Sequence, residues 1–193
     1  AARALGERGY QVTLADRASE AGGRVARESR LPGLSAWGRV RDWRLLQLQK
    51  LPNVSLYLES DMTPETVAEF DADHVLVATG AEWLRDLTGR HLLTPAHHPE
   101  GCDVLTPDDL MAGRRPRARA VTLYDDDHYY MGGVLAELLV REGHDVTLVT
   151  PASVVSAFTK ASLEQKVIQA KLLKLGVRII ANQGIVGITP GHV

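Results

Sequence analysis

Two clusters in this sequence are made of residue types that do chemistry. The first is Asp16, at the end of the apolar run Val12-Thr-Leu-Ala15, followed by Gly22-Gly23-Arg24. An acid ending a parallel strand accepts hydrogen bonds from a ribose. Paired glycines let the backbone approach a ligand, and an arginine can meet a phosphate. The second is Leu123-Tyr-Asp-Asp-Asp-His-Tyr-Tyr-Met-Gly-Gly133, between the β-branched run 120–124 and the helical pattern Val134-Leu-Ala-Glu-Leu-Leu-Val-Arg-Glu142. In a dinucleotide-binding unit that turn is a glycine-rich phosphate loop, whose glycines permit close approach to an anion held at the helix N-terminus.

This second turn departs from that requirement. Asp125 and Asp127 stand where the first two glycines belong, the turn is two residues longer before Gly132, and Thr150-Pro151 replaces the acid expected after the next strand. A carboxylate about 4 Å from a phosphate charge is repelled by roughly 4 kcal/mol at an effective dielectric of about 20. Two such acids erase ordinary nucleotide affinity, and Tyr129 and Tyr130 are candidates to fill the vacated space. Asp125, Asp126, Asp127 and His128 also have the chemistry of metal ligands, but adjacent acids rarely converge on one ion without a dedicated loop. A solvated acidic turn is therefore expected. His97-His98 reads as a polar loop pair, since no cysteine or second histidine cluster lies at ligand spacing. Ser153, Ser156 and Thr159 read as surface hydroxyls and helix caps, so neither a catalytic residue nor a metal ligand is assigned.

Composition narrows the function classes. The chain has 193 residues, 45% hydrophobic and 24% charged, with a net charge of -2, which admits one domain or two small ones. The near-neutral balance supports neither nucleic-acid nor membrane-surface binding. The longest apolar runs, such as His74-Val-Leu-Val-Ala78, are strand-sized and too short to span a bilayer. Cys102 is the sole cysteine, so no internal disulfide forms and no cysteine-ligated iron cluster can be housed here. A reducing, cytoplasmic setting is expected.

Helical and extended patterns alternate along the chain. Ala1-Ala-Arg-Ala-Leu-Gly-Glu-Arg-Gly9 reads as the second half of a helix, and Gln11-Val-Thr-Leu-Ala15 as a strand. An amphipathic helix follows, with Leu34, Trp37, Val40 or Arg41, Leu45 and Leu48 at three- and four-residue spacing, then a strand through Val54, Leu56 and Leu58. Thr63-Pro-Glu and Thr106-Pro-Asp have the form of helix N-caps with proline in the first turn. Between them Val75-Leu-Val-Ala78 predicts a strand running into Thr79-Gly80, then a loop from about Leu84 to Gly101, and Arg114-Arg-Pro-Arg-Ala-Arg119 reads as a basic linker. A second unit is predicted from a strand over 120–124, a helix over about 132–142 and a strand over 145–149. In it Ser162-Leu-Glu-Gln165 has capping-box form, starting a helix to Leu175, and Val177-Arg-Ile-Ile180 and Ile185-Val-Gly-Ile-Thr189 read as strands. Strand-helix alternation of this kind argues a mostly parallel α/β sheet, occurring twice. The expected fold is thus two Rossmann-like three-layer domains, 1–115 and 116–193, truncated at both ends. The ribose acid falls about 20 residues after the glycine loop of such a unit, which would set the first loop before Ala1.

Laid end to end, these segments resemble the C-terminal half of the trimethylamine dehydrogenase family of iron-sulfur flavoproteins, related to histamine dehydrogenase and dienoyl-CoA reductase. The stretches that carry the resemblance are 9–17 with Gly22-Gly23, 62–67, 72–83, 105–111 and 124–149. The resemblance implies an N-terminal barrel carrying FMN and a 4Fe-4S cluster, with ADP or FAD held in the portion seen here. It places Asp16 on the ribose, Arg17 by the adenine, and Gly22, Gly23 and Arg24 along the nucleotide. Met62 would approach the adenine, and Thr79 and Gly80 the pyrophosphate. It further implies electron transfer to an electron-transferring flavoprotein and a homo-oligomer. The alternatives are an enzyme like dienoyl-CoA reductase that takes NADPH, and a docking scaffold whose ADP only stabilises the fold.

Overall fold

The computed structural model describes residues 1–189 and 192, which form two compact units, Ala1–Ala81 and Glu82–Val193. In the first unit the order is α1 (Ala2–Gly6), β1 (Val12–Ala15), α2 (Gly23–Glu28), a 3-10 turn (Ser35–Trp37) leading into α3 (Gly38–Leu48), β2 (Val54–Tyr57) and α4 (Pro64–Glu69). β1 and β2 pair in parallel, Val12 opposite Val54 and Ala15 opposite Tyr57. A parallel pair needs a long crossover, which α2 and α3 supply. Asn53 closes the base of the unit, its side-chain amide donating to the carbonyls of Gly6 at 2.9 Å and Tyr10 at 2.7 Å. Gly6 has no room for a side chain, because a Cβ there would lie 2.5 Å from Val54 Cγ2. Ala26, Leu31 and Leu34 form the buried core of this unit.

Of the two residues expected at one point of the α3 stripe, Val40 is 48% exposed and Arg41 is the partly buried one, pairing with Glu20 and Asp42. Another expectation changes. Val75-Leu-Val-Ala78 is extended but is not a strand, and Val75, Leu76 and Val77 are 55%, 60% and 80% exposed. A strand exists only by pairing its backbone N–H and C=O groups, and among the described residues the ladder of this unit joins β1 to β2 alone.

The second unit contains α5 (Pro107–Met111), β3 (Ala120–Tyr124), α6 (Met131–Arg141), β4 (Asp145–Thr150), a 3-10 turn (Ala157–Lys160), α7 (Gln165–Lys174) and β5 (Arg178–Ala181). The sheet is parallel in the order β3-β4-β5, with Leu123 opposite Leu148 and Leu148 opposite Ile179. The central strand β4 is the most buried; its Val146 and Leu148, Leu135, Ala136 and Leu139 of α6 and Leu172 of α7 are all core residues, and α6 packs on both β4 and α7. Glu137, 3% exposed on α6, is matched by Arg141 and by Lys171 of α7, each at 2.5 Å.

Local chemistry shifts several predicted boundaries. Arg114-Arg-Pro-Arg-Ala-Arg119 is no free linker: Arg114 reaches Asp109, Arg115 reaches Glu142 and Arg119 reaches Asp145. The Ser162 capping box does not form. Leu163 takes a positive φ of 64°, Ser162 Oγ donates to Thr159 O and Glu164, and α7 starts only at Gln165. Among the described residues, 185–189 make isolated bridges, Gly187 with His97 and Thr189 with His192, in place of the expected strand. The Thr106 cap forms fully: Thr106 Oγ1 accepts from the Asp109 N–H at 3.3 Å, and Asp109 Oδ2 accepts from the Thr106 N–H at 2.8 Å.

Asp109 also binds Arg85 at 2.7 Å and Arg114 at 2.9 Å, and the Arg85 guanidinium beside it holds its carboxyl far below the usual range. Because the folded value is depressed, this stabilisation is present above about pH 4 and is lost as pH falls below it. Asp109→Ala is expected to cost the second unit about 1 kcal/mol or more at pH 7. In urea melts the deficit should shrink towards pH 3, and an equal deficit at both pH values would remove the ionic account.

Candidate functional site

In open parallel α/β sheets, ligands bind beyond the carboxyl ends of the strands. In the first unit those ends are Ala15 and Tyr57, and the loops leaving them are stitched together. The Asp16 N–H donates to Tyr57 O at 2.9 Å, the Ser60 N–H to Asp16 O at 3.0 Å, and the Glu59 N–H to Ala18 O at 3.0 Å. Asp16 Oδ1 accepts the Ala18 N–H at 2.9 Å, which orients the carboxylate. Arg17 is exposed beside it, and Met62, half-buried, follows Ser60 by two residues.

A second group of predicted residues lies around α2. Gly22, the N-cap, has φ of 112°, and a Cβ there would meet Arg41 Cδ at 2.6 Å, so this glycine makes room for an arginine of its own chain. Gly23 and Gly80, at φ of 51° and 81°, have open space where a Cβ would stand. The Arg24 guanidinium donates to the Ala81 carbonyl at 2.5 Å, joining α2 to the exposed segment that carries Thr79 and Gly80.

The β3–α6 turn of the second unit is built differently. The Asp125 N–H donates to Val149 O at 2.8 Å, which prolongs the β3–β4 ladder and turns the side chain inward, 3% exposed. Its Oδ1 accepts the N–H groups of Asp127 and His128, each at 3.2 Å. A Cβ on Gly132 would lie 2.5 Å from Asp125 Cγ, so the carboxyl packs on the first turn of α6, the place an anionic ligand takes at a helix N-terminus. Burial pushes this carboxyl up to about 6, and its Oδ2 is buried without a hydrogen-bond partner. Asp126 turns to the other side, where Oδ2 accepts the His91 N–H at 3.0 Å and Oδ1 lies 2.5 Å from His91 Nδ1. Against the desolvation that raises it, these hydrogen bonds hold Asp126 below the ordinary carboxylate range.

The expectations of a solvated acidic turn and of surface hydroxyls at Ser156 and Thr159 are corrected, while Ser153 is exposed as expected. The helix start and the β4 end draw the turn inward, and His128, 3% exposed with φ of 63°, is the side chain that enters. Its Nδ1 lies 3.4 Å from Thr150 Oγ1, at the end of β4 where a ribose acid would stand, and its ring meets His91 and Phe158 edge-on at 5.3 Å. Burial pulls the His128 imidazole below its usual value. Tyr129 is 46% exposed and edge-on to Phe158. Ser156 is fully buried and Thr159 is 6% exposed, because the Thr159 hydroxyl donates to Ser156 O at 2.7 Å inside the 3-10 turn. His91 is 35 residues from Asp126, and nothing in the sequence links the two.

Residues 105–192 match the family model described as the OYE-like second alpha/beta domain. The chain is 35% identical over 203 residues to dimethylamine dehydrogenase of Hyphomicrobium sp. (strain x), across 100% of this chain and 27% of that one. It superposes on histamine dehydrogenase from Rhizobium sp. 4-9 with a TM-score of 0.96 and 47% identity, covering 98% of this chain and 30% of that one. Over nearly its whole length the chain is thus homologous to one portion of these amine dehydrogenases. A further relative, 6-hydroxypseudooxynicotine amine oxidase from Pseudomonas geniculata N1, matches with a TM-score of 0.93 and 48% identity over 98% of this chain and 28% of its own length. The chain thus spans less than a third of the amine dehydrogenases it matches, and within that span it has their mixed α/β architecture with parallel sheets. Among the described residues no helix is long and apolar enough to cross a membrane.

The buried acid of the β3–α6 turn has a measurable consequence. Its folded value of about 6 is raised from 3.8, so the fold favours the neutral form. That advantage is complete below about pH 4 and is lost as pH rises through 6. Asp125→Asn, which cannot ionise and can still accept the two turn N–H bonds, is expected to stabilise the protein above pH 7 by up to about 3 kcal/mol. Denaturant melts should show the gain vanishing near pH 4; a destabilised variant at pH 8 would overturn the assignment.

Proposed function

We infer that this chain is the adenine-nucleotide-binding portion, for ADP or FAD, of an amine-oxidising dehydrogenase. The observation that carries the inference is Asp16 at the joined carboxyl ends of β1 and β2, in a chain 47% identical to histamine dehydrogenase. The residues fit such a ligand: Gly23 and Gly80 offer uncovered backbone at positive φ, and Asp16 offers a carboxylate oriented by the Ala18 N–H. Asp16 would hold the ribose and Arg17 and Met62 the adenine, with Gly22, Gly23 and Arg24 along the nucleotide and Thr79 and Gly80 by the pyrophosphate. Residues 1–115 and 116–193 are proposed as two Rossmann-like domains, the second keeping its shape without a dinucleotide.

In the parent protein the amine would be oxidised in a barrel carrying FMN and a 4Fe-4S cluster, with electrons leaving to an electron-transferring flavoprotein. A cytoplasmic homo-oligomer is the proposed setting. The packing of the Asp125 carboxyl on α6 supports a parent that does not take its electrons from NADPH, because a nicotinamide dinucleotide would need that helix start for its phosphates.

Acid extraction and chromatography of the full-length protein are expected to release ADP or FAD at one equivalent per chain, and Asp16→Ala to lower the retained amount at least tenfold. Full retention in that variant would remove Asp16 from the site. Anaerobic titration with NADPH is expected to leave the flavin spectrum unchanged, whereas rapid bleaching would establish the NADPH-using alternative. Asp125→Gly with Asp127→Gly is expected to gain little NADPH binding, since the longer turn and His128 remain; micromolar affinity in that variant would show that charge alone had closed the site.

A further inference from the structure

His91, Asp126 and His128 bring one donor atom each within 4.8 Å of the others, from two separate loops of the second unit. We propose that these three side chains bind a divalent transition-metal ion of the zinc class, which fastens loop 86–92 to the β3–α6 turn. All three side chains belong to the second unit, and the proposal does not rest on what the first unit binds.

Geometry and donor chemistry both point to a cation. Asp126 Oδ1 stands between the rings, 2.5 Å from His91 Nδ1 and 3.5 Å from His128 Nε2. Donors of a tetrahedral zinc site lie about 3.3 Å apart, given metal–ligand bonds of about 2.0–2.1 Å. The His128 separation is close to that value, and the His91 ring, half-exposed at 50%, would swing outward from Asp126 to reach it. His128 is 3% exposed, and its Nε2 has no hydrogen-bond partner although it faces the carboxylate. In the tautomer that gives Nδ1–H to Thr150 Oγ1 at 3.4 Å, the lone pair of Nε2 is directed at the Asp126 carboxylate, and this is the form in which both can hold one cation. Two imidazoles with one carboxylate suit zinc, copper or nickel and are poor for calcium or magnesium, which prefer all-oxygen shells.

The surroundings carry the matching charge. Asp125 and Asp127 flank Asp126 in the turn, the charges of Asp126 and Asp125 both act on the Tyr124 phenol, and on the cationic side Arg90, whose guanidinium lies over Phe158 at 5.3 Å, acts on His128. A Cβ at Gly89 would run into Asp126 Oδ2, so glycine there lets the loop close on the acid as it stands. The exposed side of His91 leaves a fourth position for water and a path for entry.

The test uses the purified protein, stripped with a mild chelator, dialysed and titrated with Zn²⁺ at pH 7.5 beside a competing indicator dye. One tight equivalent is expected, with a rise in thermal midpoint that saturates at the same ratio, as ligand linkage requires. His91→Ala and the conservative His91→Gln should each weaken zinc binding by about tenfold or more and abolish the rise, with circular dichroism unchanged. His98→Ala and Cys102→Ser, which remove other exposed donors, should bind as the parent does. No tight equivalent, or one that survives both His91 substitutions, overturns the proposal and leaves a proton-bridged Asp126–His128 pair.

Discussion

The Asp125 carboxyl, buried against the first turn of α6, is the contact on which the second unit is arranged. Its backbone N–H extends the β3–β4 ladder to Val149, and its side chain collects the next two free N–H groups of the turn while lying on Gly132. Because those donors are spent on one acid, the following residues fold round it. His128 goes in under Thr150, Asp126 goes out towards His91, and the 3-10 turn at 157–160 closes over both through the Phe158 N–H on His128 O at 3.0 Å. A buried carboxyl with one unsatisfied oxygen costs stability at neutral pH. Its place at a positive helix end offsets part of that cost.

This arrangement shows how a strand-turn-helix unit can hold its shape without the open space that a phosphate loop needs. A phosphate loop needs empty space at the helix start and glycines to reach it. Here the space holds the chain's own carboxyl, while the apolar contacts of Leu135, Leu139 and Leu148 that hold the helix to the sheet are untouched. Packing and ligand recognition draw on different faces of the same element, so one can change without the other. The first unit differs: Gly23 and Gly80 remain uncovered, and the carboxyl ends of β1 and β2 meet at Asp16.

Much of the fold was legible because period and punctuation are local. The 120–124, 145–149 and 177–180 runs became β3, β4 and β5 within a residue or two, and Thr63 and Thr106 capped helices as their spacing predicts. Failures came where an element depends on a partner. Val75–Ala78 has strand composition and no ladder to join, Ser162 found Thr159 and Glu164 before its own helix, and the basic run at 114–119 was drawn onto Asp109, Glu142 and Asp145. Of the site, Asp16, Gly22, Gly23, Arg24 and Gly80 were visible as residue types, but that Gly22 serves Arg41 was not.

By itself the sequence determined the alternation of strands and helices, the acid after β1 and the loss of glycines after β3, because each depends only on neighbours along the chain. Tertiary structure alone decided which of the three turn acids is buried, that His128 and not Tyr129 enters the site, and that His91 joins Asp126 across 35 residues. Those outcomes rest on which backbone N–H groups are left unpaired when the sheet and the helix meet. Spacing in the sequence does not record that.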